Sequence, residues 1–417
     1  MKSLFSISSR NIKVLGPFLL GLVLRLAYGF LLGEGLFGGD AIYYVEEAQL
    51  LLDTGETSLY WPPALIYLLA AWGAIFGLSW GTGMAFMLLW YAVLMYLLWR
   101  LRLPVFFQYL FACYPVMIHH SVAVLTHLPV AVCVLGMFAL LREAVGLRRG
   151  WWTGLLLGLA TLLRAGSGVL LLGLLLRRTP GFIGGLLLGT TLLVGAWLCV
   201  ASSQADRFVP VNTANAYNLY LGNTPWTPDY KSWWLGTHNE TENPEFADFY
   251  VERDSILGLA PAARDQAFRE AGKTYLLDEP GRFVYRFWQR VKVFWAFDTY
   301  TAAILQTRSQ AFAAGVQLIE CLCYGLLWMS FFLAWWQKRL QSSYLLAWLA
   351  WYMLPYLFAF AHPTYHLPLL PLLAVMASQV EWRWKVKKIS WRETIWGICV
   401  LCWCYVQIEW GLSLVLS

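Results

Sequence analysis

The chain has 417 residues, of which 59% are hydrophobic and 13% charged, with a formal net charge of +6. Soluble proteins carry roughly 25% charged residues, so this composition excludes an ordinary soluble domain. The positive balance does not point to nucleic acid, because Lys and Arg punctuate apolar runs instead of forming a stripe.

The first apolar run, residues 14–33, follows Lys2, Arg10 and Lys13. It is longer than a signal-peptide core and no small-residue cleavage site follows it. It reads as a first transmembrane helix with its N-terminus in the cytoplasm. Arg25 interrupts it, as half of a structural ion pair or as part of a site. Residues 34–83 then form a first external loop. Within it Asp40 precedes a helix expected over 41–52, where it is either an N-cap or a functional carboxylate. Tyr43, Tyr44 and Glu47 share the face below Asp40 by i+3, i+4 and i+7 spacing. Two phenols and two carboxylates on one face suit a polyhydroxyl ligand. The apolar stretch 62–77 opens with Pro62-Pro63 and is short for a crossing, so it reads as an in-plane or re-entrant helix of the same loop.

Basic clusters mark cytoplasmic ends of spans. They occur at residues 2–13, at Arg100 with Arg102, at 142–149, at Arg177-Arg178, at Lys338-Arg339 and at 383–392. Placing all of them inside gives one path of about 11 spans. These are 14–33, 84–99, 104–118, 122–141, 151–163, 167–176, 181–201, 310–336, 343–361, 367–380 and 394–416, an all-α polytopic membrane protein. The pair 151–163 and 167–176 is short for full crossings and admits buried half-length helices. Residues 1–201 and 309–417 are then membrane regions, and 202–308 is a long external loop. In that loop Arg282, Arg286 and Arg290 recur every four residues. They read as a basic amphipathic helix for an anionic membrane surface, or as a helix packed on the bundle. The eight cysteines all fall in apolar spans. Cys399-x-x-Cys402 therefore reads as core thiols, not as a redox or zinc pair.

The path is drawn from Lys and Arg alone, yet it puts Asp40 and all six histidines on the outer face. These are His119, His120, His127, His238, His362 and His366. Ionisable residues that converge at one end of membrane helices point to a site. Arg164, in the turn between the two short spans, needs an anionic partner, either a lipid phosphate or an internal carboxylate. His362-x-x-x-His366 has metal-ligand spacing, but Pro363 and Pro368 break the helix that would align the rings. Hydrogen bonding to phosphate or sugar is expected there, with no metal and no cofactor. No Walker motif, glycine-rich nucleotide loop or nucleophile elbow is present.

Several stretches resemble the GT-C glycosyltransferase superfamily, in particular bacterial members similar to protein O-mannosyltransferases and the lipid A aminoarabinose transferase. They are Asp40 to Tyr44 followed by Pro62-Pro63-Ala64-Leu65, and Leu159-Ala160-Thr161-Leu162-Leu163-Arg164. Asn218-Leu219-Tyr220-Leu221-Gly222-Asn223-Thr224-Pro225, Glu279-Pro280-Gly281-Arg282-Phe283 and Tyr365-His366-Leu367-Pro368-Leu369-Leu370-Pro371 complete the likeness. The resemblance implies the GT-C fold and metal-independent or variably metal-dependent transfer of a sugar from a polyprenyl-phosphate carrier. It implies that Asp40 acts on the acceptor, and that Asn218, Tyr220, Asn223 and Tyr365 lie among the substrate-binding residues. This chain departs from the family pattern at Ala41, His127 and Thr364, where the family often has Glu, an acid and Arg.

The expectation is an inverting glycosyltransferase of the cytoplasmic membrane, working on its outer face. Asp40 would be its base, and Tyr43, Tyr44, Glu47, His127, Arg164, His362 and His366 would bind substrate. Its partners would be a polyprenyl-phosphate sugar, a lipid, glycan or protein acceptor, and membrane lipids, with no nucleic acid. A flippase for lipid-linked sugars would need polar groups through both leaflets. A degenerate subunit of an envelope-glycan assembly is the third possibility.

Overall fold

A computed structural model describes residues 9–142, 146–176, 179–237, 239–337, 343–381 and 391–415. All regular structure among them is helical. Five helices are long and apolar enough to cross a bilayer: Leu15–Leu36, Trp80–Arg100, Pro180–Ala205, Gln310–Trp336 and Thr394–Leu414. A helix rises about 1.5 Å per residue, so each exceeds the roughly 30 Å of a hydrocarbon core. They turn apolar side chains such as Val23, Leu188, Leu192, Leu401 and Ile408 outward. The chain is a multi-pass, all-α membrane protein.

Shorter and broken helices fill the space between the long ones. Val105–Cys113 and Pro115–His119 meet at Tyr114, which is extended. His127–Leu141 is buried almost all round. Leu147–Leu163 stops at an extended Arg164, and a 3₁₀ turn Ala165–Val169 leads into Leu170–Leu175. The 3₁₀ turn Pro363–Leu369 likewise precedes Leu370–Ala377. Pro115, Pro363 and Pro368 explain two of these breaks, since proline lacks the N–H that a continuous helix needs. Interrupted backbone at membrane depth survives where protein, not lipid, surrounds it. Pro63–Phe76, at 14 residues, is about 21 Å long, short of a full crossing.

One contact is built from glycine. Gly150, Gly154 and Gly158 of Leu147–Leu163 face Gly185 and Gly189 of Pro180–Ala205. A Cβ at Gly150 or Gly154 would fall onto main-chain atoms of Phe182 or Leu186. Close approach of this kind is how membrane helices associate without a hydrophobic driving force. The Thr190 hydroxyl adds a 3.2 Å hydrogen bond to the Gly154 carbonyl.

Arg25 is fully buried and takes neither of its expected roles. It donates to the carbonyls of Gly21 and Ala112 at 2.9 Å, to that of Phe111 at 3.2 Å and to the Ser121 hydroxyl at 2.8 Å. Its guanidinium lies 3.7 Å from the Tyr91 ring centre. It forms no ion pair among the described residues. It satisfies the open carbonyls at the C-terminal end of Val105–Cys113, which carry partial negative charge.

The polar segment between the long helices Pro180–Ala205 and Gln310–Trp336 has its own small core, in which Tyr220 packs with Phe249 and Phe268. The helix Pro280–Phe294 resolves the choice left open by its arginine spacing. Arg286 and Arg290 point inward and are 3% and 1% exposed, whereas Val284, Tyr285 and Trp288 face out. Arg286 donates to the carbonyls of Thr224 and Thr227 and pairs with Asp229 at 3.2 Å. Arg290 donates to the carbonyls of Leu357 and Gly222 and to Asn223 Oδ1. The cysteines are free. Cys133 and Cys323 are buried as expected, but Cys199 and Cys402 lie exposed on helix faces, because a bilayer accepts an apolar thiol as readily as a core does.

Candidate functional site

Asp40 is the first residue of the helix Asp40–Thr54, and its side chain caps nothing. Gly39 before it has φ +59°, a region where L side chains are strained. A Cβ at Gly39 would also lie 2.8 Å from the Tyr300 hydroxyl. The turn thus needs glycine on two counts, and it delivers the Asp40 carboxylate without any partner. Among the described residues Asp40 forms no hydrogen bond and no ion pair. Its side chain is open to water, yet it sits in crowded, poorly solvated surroundings. Desolvation pushes the carboxyl above the usual carboxylate range, and the Arg164 guanidinium pulls it back.

Arg164 faces the same cleft. The break between Leu147–Leu163 and the following 3₁₀ turn turns its side chain away from lipid. Its Nε donates to the Tyr356 hydroxyl at 2.8 Å. Its Nη1 lies 2.8 Å from His127 Nε2, so that nitrogen accepts, because a guanidinium has only donors. The guanidinium carbon sits 4.3 Å from the Tyr365 ring centre. All three neighbours are neutral. Among the described residues Arg164 has no ion pair, and the cleft holds an unpaired cation and an unpaired carboxylate that do not touch. Comparison with protein-family models, with curated proteins and with solved structures finds no match.

Histidines line the far wall. The His120 and His127 rings are 4.5 Å apart, and His119 is 5.2 Å from His120. His119 Nδ1 lies 2.9 Å from the Tyr28 hydroxyl. Both ring nitrogens of buried His120 lack a partner, and burial, with His119 and Arg164 nearby, keeps this imidazole neutral. His362 caps the Pro363–Leu369 turn by accepting from the Thr364 N–H at 3.1 Å. The Thr364 hydroxyl lies 2.6 Å from His362 Nδ1 and 2.8 Å from Asp298 Oδ2. Burial lowers His362 to about 3 and raises Asp298 to about 6. No group of three or more His, Cys, Asp or Glu among the described residues is arranged to hold a metal ion.

The residues expected from sequence divide in two. Asp40, Tyr44, His127, Arg164, His362 and Tyr365 gather at the cleft. Tyr43 stands at its rim, stacked on Trp61 at 5.4 Å. Glu47 is instead occupied by Ser58, accepting from both its hydroxyl and its N–H. That ties the helix Asp40–Thr54 to the segment that follows it. His366 donates from Nδ1 to the Phe294 carbonyl at 2.7 Å and is stacked on Trp295 and Tyr324, a packed position away from the cleft. Tyr220 lies in the small core with Phe249 and Phe268. Asn223 donates to the carbonyls of Leu219 and Phe358 and so ties that core to the bundle. Asn218 sits on the same helix, half-buried. His238 lies outside the described residues.

Sequence reasoning overlooked Trp61, Tyr300, Tyr356 and the Asp298–Thr364–His362 chain. The Tyr300 hydroxyl touches the Gly39 turn, and its ring meets His119 at 5.2 Å. One signal was available: Asp298-Thr299-Tyr300-Thr301 is a polar run just ahead of the long apolar helix Gln310–Trp336. Tyr356 carries none, since it is one aromatic among many in an apolar span.

Proposed function

We propose that the protein is an inverting glycosyltransferase with the GT-C fold, using a polyprenyl-phosphate sugar as donor. The observation that carries this reading is the pair of unpaired opposite charges, Asp40 and Arg164, across a cleft rimmed by Tyr43 and Trp61. Aromatic faces pack against sugar rings, a carboxylate can take a proton from a hydroxyl, and a guanidinium suits a phosphate. In this reading Asp40 takes the proton of the acceptor hydroxyl. The hydroxyl oxygen bonds to the anomeric carbon from the face opposite the phosphate. The bond from that carbon to the phosphate oxygen breaks, and the lipid phosphate leaves with the electron pair. Arg164 stabilises the charge that grows on the phosphate, while His127 and Tyr365 hold the guanidinium in place.

The same proposal puts the cleft on the outer face of the cytoplasmic membrane, with the N-terminus inside and about 11 crossings. The interrupted segments at Tyr114, Arg164 and Pro363 would count among the crossings, and Pro63–Phe76 would lie in the outer leaflet. The decisive experiment uses purified protein in lipid nanodiscs with a synthetic polyprenyl-phosphate hexose or pentose and no nucleotide. Release of polyprenyl phosphate that depends on Asp40 supports the proposal. Absence of both transfer and hydrolysis across a panel of such donors would remove it.

A further inference from the structure

A second concavity, of about 620 Å³, lies between the segment that follows the helix Asp40–Thr54 and the helices of the polar segment. That volume is in the range of small-molecule sites. Ser58, Leu59 and Tyr60 line it, and the segment Thr57 to Tyr60 is held by three hydrogen bonds. Gln204 Nε2 donates to the Thr57 carbonyl at 2.8 Å, the Thr213 N–H to that of Leu59 at 3.0 Å, and Asn212 Nδ2 to that of Tyr60 at 2.9 Å. Leu59 is kept at φ +60° there, a conformation that strains a bulky residue.

The lining joins cations to aromatic rings. Arg207, Arg253 and Arg264 face the cavity with Tyr60, Tyr217 and Phe268. The acid in the lining, Asp265, is already shared by Arg207 at 2.6 Å and Arg269 at 3.0 Å. Arg253 pairs with Asp254 at 2.7 Å, whose side chain is 60% exposed, and its guanidinium carbon lies 4.8 Å from the Tyr250 ring centre. The Arg264 side chain has no hydrogen bond or ion pair among the described residues. Positive charge therefore exceeds negative in a cavity that also offers flat apolar faces. Tyr60 lines this cavity, and the next residue, Trp61, stacks on Tyr43 at the rim of the cleft. Gln204 and Arg207 sit at the end of the membrane helix Pro180–Ala205, so the cavity opens at the membrane boundary.

We infer that this cavity binds the second substrate, the acceptor, through an oxyanion: a phosphate group carried on a sugar. Guanidinium groups meet phosphate in bidentate fashion, and Tyr60, Tyr217 and Phe268 take the ring. The acceptor role rests on the transferase reading; the anion site does not. The phosphate can come from a soluble phosphorylated glycan or from a membrane headgroup, and the two sources are separable.

The test is hydrogen exchange on the full-length protein in phosphatidylcholine nanodiscs. One arm adds mannopentaose 6-phosphate at millimolar concentration, with unphosphorylated mannopentaose as the neutral control. A second arm adds phosphatidic acid to the nanodisc. Expected is slowed exchange in peptides covering residues 55–62 and 258–270 with the phosphorylated ligand only. Protection in the first arm assigns a phosphate carried on a glycan; protection in the second alone assigns a lipid phosphate without a sugar and overturns the sugar acceptor. Arg264→Ala should weaken binding by about 10-fold or more, the scale of one lost charge-assisted contact. Arg264→Lys should recover part of it, with melting unchanged in both. Equal protection by neutral mannopentaose, no protection in either arm, or unchanged binding in a folded Arg264→Ala protein overturns the inference. Asp40→Asn and Arg164→Gln should bind the phosphorylated probe as wild type does. Binding that persists where no donor is ever consumed would sink the transferase reading and leave the anion site standing. Transfer whose acceptor KM ignores Arg264 would leave the transferase reading standing and take the acceptor role away from this cavity.

Discussion

Asp40 and Arg164 invite the sharpest substitutions. Asp40→Asn keeps the shape of the side chain and removes its basicity, and no hydrogen bond of the fold is lost with it. Transfer should fall by about 100-fold or more while the melting temperature stays put; a stable variant with near wild-type turnover would take Asp40 out of the mechanism. Arg164→Gln should cut use of the phosphate donor by about 10- to 100-fold, seen in donor KM and kcat. It should also move the acidic limb of the pH–rate profile. The guanidinium favours the charged form of Asp40, so its loss raises the Asp40 pKa and shifts that limb to higher pH. A limb that stays in place would mean that another group is the base. Asp298 supplies a stability test. Its folded-state value rises from 3.8 to about 6, equivalent to about 3 kcal/mol. A raised carboxyl favours the protonated folded form, so this contribution is present below pH 3.8 and is lost as pH rises through about 6. The Asp298→Asn protein should therefore gain melting temperature relative to wild type between pH 4 and pH 7. A constant gap would show that Asp298 does not titrate in that window.

At the scale of elements, glycine and arginine hold the architecture. Gly154→Val puts a branched side chain where the main chain of Leu186 already stands. It should cost about 3 kcal/mol or more and lower the yield of folded protein. Gly184→Val, on the same Pro180–Ala205 helix but with open space at its Cβ position, should be tolerated. Comparable melting of the two would show that this contact is not close-packed. The arginine periodicity of Pro280–Phe294 was visible in the sequence, but its direction was not. Spacing shows that three cations share a face; it cannot show that unpaired carbonyls at Gly222, Thr224, Thr227 and Leu357 wait on that side. Similarly, the breaks at Pro115 and Pro363 were signalled by proline, whereas the extended Arg164 was visible only as a charge inside an apolar run.

For the whole molecule, the arrangement of long outer helices around broken inner ones fixes where polar groups can survive. Buried His120, Arg25 and Glu320 all lie against protein, not lipid. In a background with the native cysteines replaced by serine, a single cysteine at Glu252 should react with an impermeant thiol reagent in intact cells. One at Arg148 should react only after permeabilisation. The opposite pattern would invert the topology and move the cleft to the cytoplasmic side.

Composition and the placement of Lys and Arg by themselves determined an all-α, multi-pass membrane protein, because lipid tolerates only long apolar helices and charge must stay at their ends. They also singled out Asp40, His127, Arg164 and His362, since polar residues are too costly in such a chain to occur without a role. Only the tertiary structure decided which of these meet. Glu47 and Asn223 carry the same chemistry as their neighbours but are spent on Ser58 and on the carbonyls of Leu219 and Phe358. His366 is sealed between two rings. Asp40 and Arg164 remain unpaired because the Gly39 turn and the break after Leu163 aim them at one space without letting them touch. Whether a polar side chain is free to act depends on what packs around it, and that is set by contacts between segments far apart in the chain.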